Sequence, residues 1–184
     1  GQGRRQGGAT TLSSDQNTGD FVNPMDYDSN ANRLLTNGSS GTNFAIKSFN
    51  VAANSNGTLT NAALTAKPTA FRASPFANNT WYAGLENGGL IRLTGVTNSA
   101  ATFTTIATPF VGSVSSVRFG ETANDIFVTI HNYSVASVWA TSNGGSSWSS
   151  KEGNLPNIPV RDFLQNPLSR GEAIIATQLG VWAT

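Results

Sequence analysis

Apolar residues along this chain come in short bursts, divided by turns rich in Gly, Asn, Ser and Pro. The bursts favour β-branched and aromatic side chains, as in Trp81-Tyr82, Ile126-Phe127-Val128 and Ile174-Ile175. That pattern predicts strands buried inside sheets. No window sustains a 3.6-residue period, because Gly, Pro and Asn interrupt each candidate helix. Residues 59–66 alone carry a competing short-helix reading, and their Thr content favours strand.

The bursts fall into four units of one order: strand, polar turn, aliphatic or aromatic strand, turn, third strand. The second strands centre on Leu35, Tyr82, Phe127 and Ile175, which recur about every 45 residues, the period of a four-stranded propeller blade. A fourth strand is predicted at 62–65, 103–107 and 148–151, and the last unit stops after its third strand at 180–184. The fold class is therefore all-β, a β-propeller of about four blades of four-stranded antiparallel sheet. The blades are drawn at 21–67, 68–110, 111–157 and 158–184, the last incomplete, behind an N-terminal segment 1–20. Residues 9–14 could finish the last blade and close a four-bladed ring. Alternatively the chain is a section of a larger propeller, completed by further sequence or another chain. The abrupt ends favour the larger ring.

One stretch carries a specific signature. Thr141-Ser142-Asn143-Gly144-Gly145-Ser146-Ser147-Trp148 reads as Ser/Thr-x-Asp/Asn-x-Gly-x-Ser/Thr-Trp. Such a turn combines a side-chain amide bonded to nearby backbone, a Gly at an angle other residues resist, and a covering indole. With Gly153-Asn154-Leu155-Pro156 behind it, the stretch resembles the Asp-box (BNR-type, sortilin-like) β-propellers of secreted bacterial proteins. In those proteins the turn joins the third and fourth strands of a blade. Asn143 stands where Asp is usual, and Thr141 and Ser147 exchange the usual hydroxyl residues, all still able to hydrogen-bond. The resemblance implies structural roles for Thr141, Asn143, Gly145, Ser147 and Trp148. It also implies a bacterial extracellular or cell-surface setting. It implies no reaction, since such turns sit away from the working surface.

Composition narrows the partners. Charged residues are 11% of the chain, against about 25% in an average soluble domain. The net charge of +1 provides no field for nucleic acid or a membrane, and Arg4-Arg5 reads as a solvated terminal pair. The absence of cysteine excludes disulfides, thiolate nucleophiles and thiolate metal sites. No apolar run is long enough for a membrane-spanning helix, and the N-terminus, without Met or an apolar signal core, reads as processed.

Because Asp-box propellers include sialidases and xyloglucan-cleaving enzymes, glycoside hydrolysis is the sharpest enzymatic expectation. It requires two carboxyl groups flanking one bond, or a Tyr nucleophile with an acid partner. Asp26 and Asp28 are the best pair, two residues apart on one strand face. The bland alternative has Asp28 capping its turn and Asp26 solvated. With Asn23, Asn30 and Asn32 the two form a weak calcium reading whose spacing matches no known loop, and no other cofactor is expected. Arg72, Arg118 and Arg161 fall near first strands and Arg92 on a third strand, so a sialidase arginine triad is not supported. His131, the single histidine, reads as a loop residue. Trp139 and Trp182 share third-strand positions suited to packing between blades. Trp81 and Tyr82 must point to opposite sides of their strand, and either ring could stack on a sugar if it reached the propeller face. The leading functional expectation is a non-enzymatic module that binds protein or glycan, with a protein partner or the rest of a propeller docked on it. A glycoside hydrolase fragment with its catalytic residues elsewhere, and a subunit of a surface filament, are the alternatives.

Overall fold

The computed structural model describes residues 17–183; the strand expected at 9–14 and the Arg4-Arg5 pair lie outside them. The described residues form strands and turns with no helix, and so none long and apolar enough to cross a membrane. Blade 1 is β1 (Met25–Asp28), β2 (Arg33–Asn37), β3 (Ile46–Asn50) and β4 (Ser55–Leu59). Blade 2 is β5 (Pro68–Ala73), β6 (Thr80–Leu85), β7 (Leu90–Thr94) and β8 (Thr102–Ile106). Blade 3 is β9 (Val114–Phe119), β10 (Ile126–Ile130), β11 (Val138–Thr141) and the short β12 (Ser149–Ser150). Blade 4 is β13 (Val160–Gln165), β14 (Ala173–Thr177) and β15 (Gly180–Ala183). Each sheet is an antiparallel meander in chain order. The first strands β1, β5, β9 and β13 lie against one another in sequence, so every sheet begins at a common axis and steps outward. The fold is a β-propeller.

Alternation along each strand sends one set of side chains to the preceding blade and the other to the following one. Between blades 1 and 2, Leu35 and Ile46 meet Phe71, Trp81 and Leu93. Between blades 2 and 3, Tyr82 and Leu90 meet Val117, Ile126 and Val128. Between blades 3 and 4, Val138 and Phe127 meet Phe163 and Ile175. Trp81 and Tyr82 do point to opposite sides of β6, but both are buried, in different interblade layers. This corrects the expectation that one of these rings could face a ligand, because a neighbouring blade covers each side of their sheet.

Three sequence expectations shift. The fourth strand of blade 1 is Ser55–Leu59, not 62–65. Residues 62 and 63 turn instead, since the Asn61 side chain accepts the Ala63 N–H and the Asn61 carbonyl accepts that of Leu64. The same turn removes the short helix considered at 59–66. Finally, pairing equates Leu35, Tyr82 and Phe127 with Ile174, not Ile175. Their first-strand partners Asp26, Arg72, Arg118 and Leu164 fall at steps of 46 residues. Ile175 faces backward onto blade 3, whereas Ile174 faces forward.

The hub strands share a device. In β5, β9 and β13 the register skips one residue, leaving Thr69, Ser115 and Arg161 as bulges at 46-residue steps. The Thr69 hydroxyl donates to the Val114 carbonyl at 2.7 Å and the Ser115 hydroxyl to the Val160 carbonyl at 2.6 Å. The Thr69 and Ser115 bulges thus stitch blades 2 and 3 to the first strand of the next blade.

Candidate binding groove

Asp26 and Asp28, the pair weighed as possible ligand or ion contacts, are interblade ties. Asp28 Oδ1 accepts the N–H groups of Asn30 and Ala31, capping its own turn. Its Oδ2 accepts the Asn79 N–H of blade 2 at 3.1 Å. Asp26 Oδ2 accepts the Ala73 N–H at 2.8 Å, with the Arg72 guanidinium 4.0 Å away. Both carboxylates therefore share one strand face, and that face is turned toward blade 2. The neighbouring amides point elsewhere: Asn32 accepts from the Tyr27 hydroxyl, and Asn23 donates to the Asn37 carbonyl.

The turn between β11 and β12 is organised by two side chains. Asn143 Oδ1 accepts from the Thr141 hydroxyl and the Ser147 N–H, and Asn143 Nδ2 donates to the Ser147 hydroxyl. Thr141 Oγ1 accepts the Gly145 N–H. Gly145 has φ +94°, and a Cβ there would sit 2.5 Å from Ile106 of blade 2, so glycine is required by both angle and space. The Trp148 indole reaches back to blade 2, donating to the Ala107 carbonyl at 3.0 Å and meeting Phe110 edge-on at 5.2 Å. Trp139, on the same side, lies 5.7 Å from Phe110. Together they seal the outer wedge between blades 2 and 3.

The wedge between blades 3 and 4 is open and forms a cavity of about 640 Å³. Its floor holds Phe127 and Phe163, stacked at 4.4 Å with their planes 24° apart, beside Val138 and Ile175. The rim is polar, with Ser142 and Lys151 on blade 3 and the Glu121–Arg170 ion pair spanning the two blades. Asp125 is fixed by the Thr122 N–H and hydroxyl. None of these groups was singled out in the sequence as a site, because the β9–β10 turn, β11 and the β13–β14 turn meet only through the blade stack.

At the axis, Arg118 makes a bidentate pair with Asp162, its Nε 2.8 Å from Oδ1. Burial pushes the Asp162 carboxyl up, but hydrogen bonds from Arg118 and the Phe163 N–H more than offset this and hold it below the usual carboxylate range. Arg72 and Arg161 line the same hollow, so the structure brings three arginines near the axis, two of them facing aspartates. Arg92 lies on β7, away from that hollow. His131, behind the third blade's second strand, is held below its ordinary pKa by burial and by the Arg161 charge. Among the described residues no cluster of three or more His, Cys, Asp or Glu side chains is placed to hold a metal ion.

No protein-family model matches the sequence, and no curated protein matches it. Solved structures match the fold. The GH74 enzyme of Niastella koreensis superposes over 85% of this chain and 26% of its own, at 16% identity and a TM-score of 0.65. The GH74 xyloglucanase of Xanthomonas campestris superposes over 87% of this chain and 28% of its own, at 13% identity and a TM-score of 0.60. The chain thus spans roughly a quarter of the length of these enzymes. At these identities the likeness establishes a shared propeller architecture.

Proposed function

We propose that this chain is a non-catalytic section of an extracellular or cell-surface bacterial β-propeller that holds a glycan in the groove between blades 3 and 4. The groove itself carries the reading. Its volume of about 640 Å³ lies within the usual range for ligand pockets, and an aromatic floor under a hydroxyl-bearing, charged rim matches the two faces of a sugar ring. In this reading the β11–β12 turn is an Asp-box that stiffens the groove's blade 3 wall. Cleavage requires carboxyl groups on opposite sides of the bond. Here Glu121 and Asp125 both sit on the β9–β10 turn, and Glu121 is occupied by Arg170. Titrating the chain with xyloglucan oligosaccharides by calorimetry should show saturable binding without release of reducing ends. Lys151→Ala should weaken it by at least ~10-fold, as expected for loss of a charge-assisted hydrogen bond. No heat with xyloglucan or other neutral glucans would refute the reading. A second reading, a glycoside hydrolase section whose catalytic carboxyls lie outside this chain, draws on the two GH74 neighbours. Release of reducing ends by a longer protein that contains this segment, with none from the segment alone, would favour it.

A further inference from the structure

Three loops of blades 3 and 4 converge at the end of the strands away from the Glu121–Arg170 pair. They are residues 131–137 between β10 and β11, residues 151–159 between β12 and β13, and the Gln178-Leu179 turn between β14 and β15. Tyr133 stands among them, 58% exposed. Its ring is nevertheless held in place. The Tyr133 hydroxyl donates to Gln178 Oε1 at 2.8 Å, and the Gln178 N–H donates to the Pro159 carbonyl at 3.2 Å. Ser134 beside it has φ +63°. The other described non-glycine residues with positive φ are Asn32, Asn54 and Asn79, and asparagine tolerates that region better than serine. Asn157 Oδ1 accepts the Ser134 N–H and pins the strained residue. On one side the His131 N–H donates to the Ser113 carbonyl, while Asn132 Oδ1 accepts the Ser113 N–H. On the other side the Glu152 carboxylate accepts the N–H groups of Ser137 and Val138. A strained residue fixed from both sides marks a segment organised in advance of what it binds.

The braced loop presents an apolar surface with a polar margin. Leu179, 71% exposed, extends the apolar surface of the Tyr133 ring beyond Gln178. Gln178 and Asn157 use their side-chain oxygens as acceptors within the protein. Their side-chain NH2 groups, and the Ser134 hydroxyl, are exposed with no partner among the described residues. Glu152, the carboxylate of these loops, is committed to backbone N–H groups, so the polar margin is made of neutral donors.

We propose that Tyr133 is the centre of a second sugar site, which takes a neutral pyranose ring. A pyranose with equatorial hydroxyls lays a C–H face on an aromatic ring and offers hydroxyls at its edge, here to the Gln178 and Asn157 amides and the Ser134 hydroxyl. The hydrogen bond to Gln178 fixes the Tyr133 ring before the sugar arrives, which lowers the ordering cost of binding. The site is built wholly from described loops and uses neither end face of the blade stack. It shares a ligand class with the groove between blades 3 and 4 but none of the groove's lining residues.

The test is a titration of the 15N-labelled 184-residue chain with cellohexaose, followed by the amide signals of Asn132–Val135 and Gln178–Leu179. These signals should shift saturably. Tyr133→Ala should weaken the binding they report at least ~10-fold, the loss of one stacked ring face. Tyr133→Phe, which keeps the ring and releases it from Gln178, should cost about 3-fold. Lys151→Ala, on the rim of the groove, should leave these signals unchanged. The side chain removed is exposed, so both Tyr133 variants keep the amide spectrum of the folded chain. Absence of shifts in the two loops at ~10 mM sugar, a range that covers weak single-ring binding, overturns the proposal. So do shifts that survive Tyr133→Ala, or shifts that Lys151→Ala abolishes. Shifts confined to the groove defeat this site and leave the groove reading standing, whereas shifts confined to the two loops do the reverse.

Discussion

Truncating Trp148 tests whether the β11–β12 turn works as an interblade seal. The ring is half-buried against Phe110 and Ile106, and its N–H is donated to Ala107. A fully buried Trp→Ala change costs about 3–5 kcal/mol. Half burial scales this to about 2 kcal/mol, and the lost hydrogen bond adds about 0.5–1.5 kcal/mol. Trp148→Ala should therefore destabilise the chain by about 3 kcal/mol, a fall in Tm of roughly 6–12 °C for a domain of this size. Trp148→Phe keeps an aromatic edge contact with Phe110 and loses the N–H donor, so it should cost only about 1 kcal/mol. The assay is urea unfolding followed by far-UV circular dichroism, since three other tryptophans obscure fluorescence. A shift in midpoint at constant m isolates the stability change. The reasoning fails if Trp148→Ala costs under ~1 kcal/mol, or if both variants cost the same, since packing and hydrogen bonding would then not be separable contributions.

Gly145→Ala should cost at least ~2 kcal/mol, because the added methyl meets Ile106 at 2.5 Å and φ stays at +94°; chemical denaturation measures it. A double-mutant cycle on Arg118→Ala and Asp162→Ala should return a coupling of ~1 kcal/mol, limited by solvent reaching a pair that is 34 and 41% exposed. His131 gives a pH dependence. Its folded pKa lies below the ordinary 6.5, so just below pH 6.5 the unfolded chain binds a proton that the folded chain does not. Stability is therefore retained above that value and falls as the pH drops beneath it. Tm measured from pH 7 to 5 should decline, and His131→Gln should flatten the decline. Asp162 acts in a separate window, since its lowered pKa withdraws stability only as the pH falls below the ordinary carboxylate value of 3.8.

The blade repeat was legible because strands buried on both faces write aromatic and aliphatic runs into the sequence, as at Trp81-Tyr82 and Ile126-Phe127-Val128. Trp139 and Trp182 were equated correctly, since pairing places them opposite Val128 and Ile175 on matching backward-facing positions. The first blade's outer strand was misplaced for the converse reason. Ser55, Asn56 and Thr58 are exposed, so no burial marks them, and the apolar residues of 62–65 drew the assignment. Leu64 is indeed core, but it packs from a turn. Nothing in the sequence marks Arg33. It is buried, with its pKa lowered by desolvation, and its guanidinium donates to Ser48 and to Asn98 of blade 2. Neither partner is near in sequence. The groove was hidden in the same way, since Phe127 and Phe163 meet only after two sheets stack.

The spacing of the hub explains which parts of the repeat are strict. First-strand residues Asp26, Arg72, Arg118 and Leu164 keep steps of 46, and the bulges Thr69, Ser115 and Arg161 keep the same step. Their second-strand partners Leu35, Tyr82, Phe127 and Ile174 fall one residue to either side of it, at steps of 47, 45 and 47. A first strand touches its own second strand and the first strands on either side, so a slip there would turn its apolar set away from both neighbours. It would also break the Thr69 and Ser115 hydroxyl stitches. Farther out the blades diverge, and turns can absorb a residue without moving a neighbour. Specificity of assembly therefore resides at the axis, while the divergent outer wedges are free to be sealed, as by Trp148, or left open, as between Phe127 and Phe163. A binding groove at an outer wedge is then compatible with a rigid hub, because opening one disturbs none of the contacts that set the register.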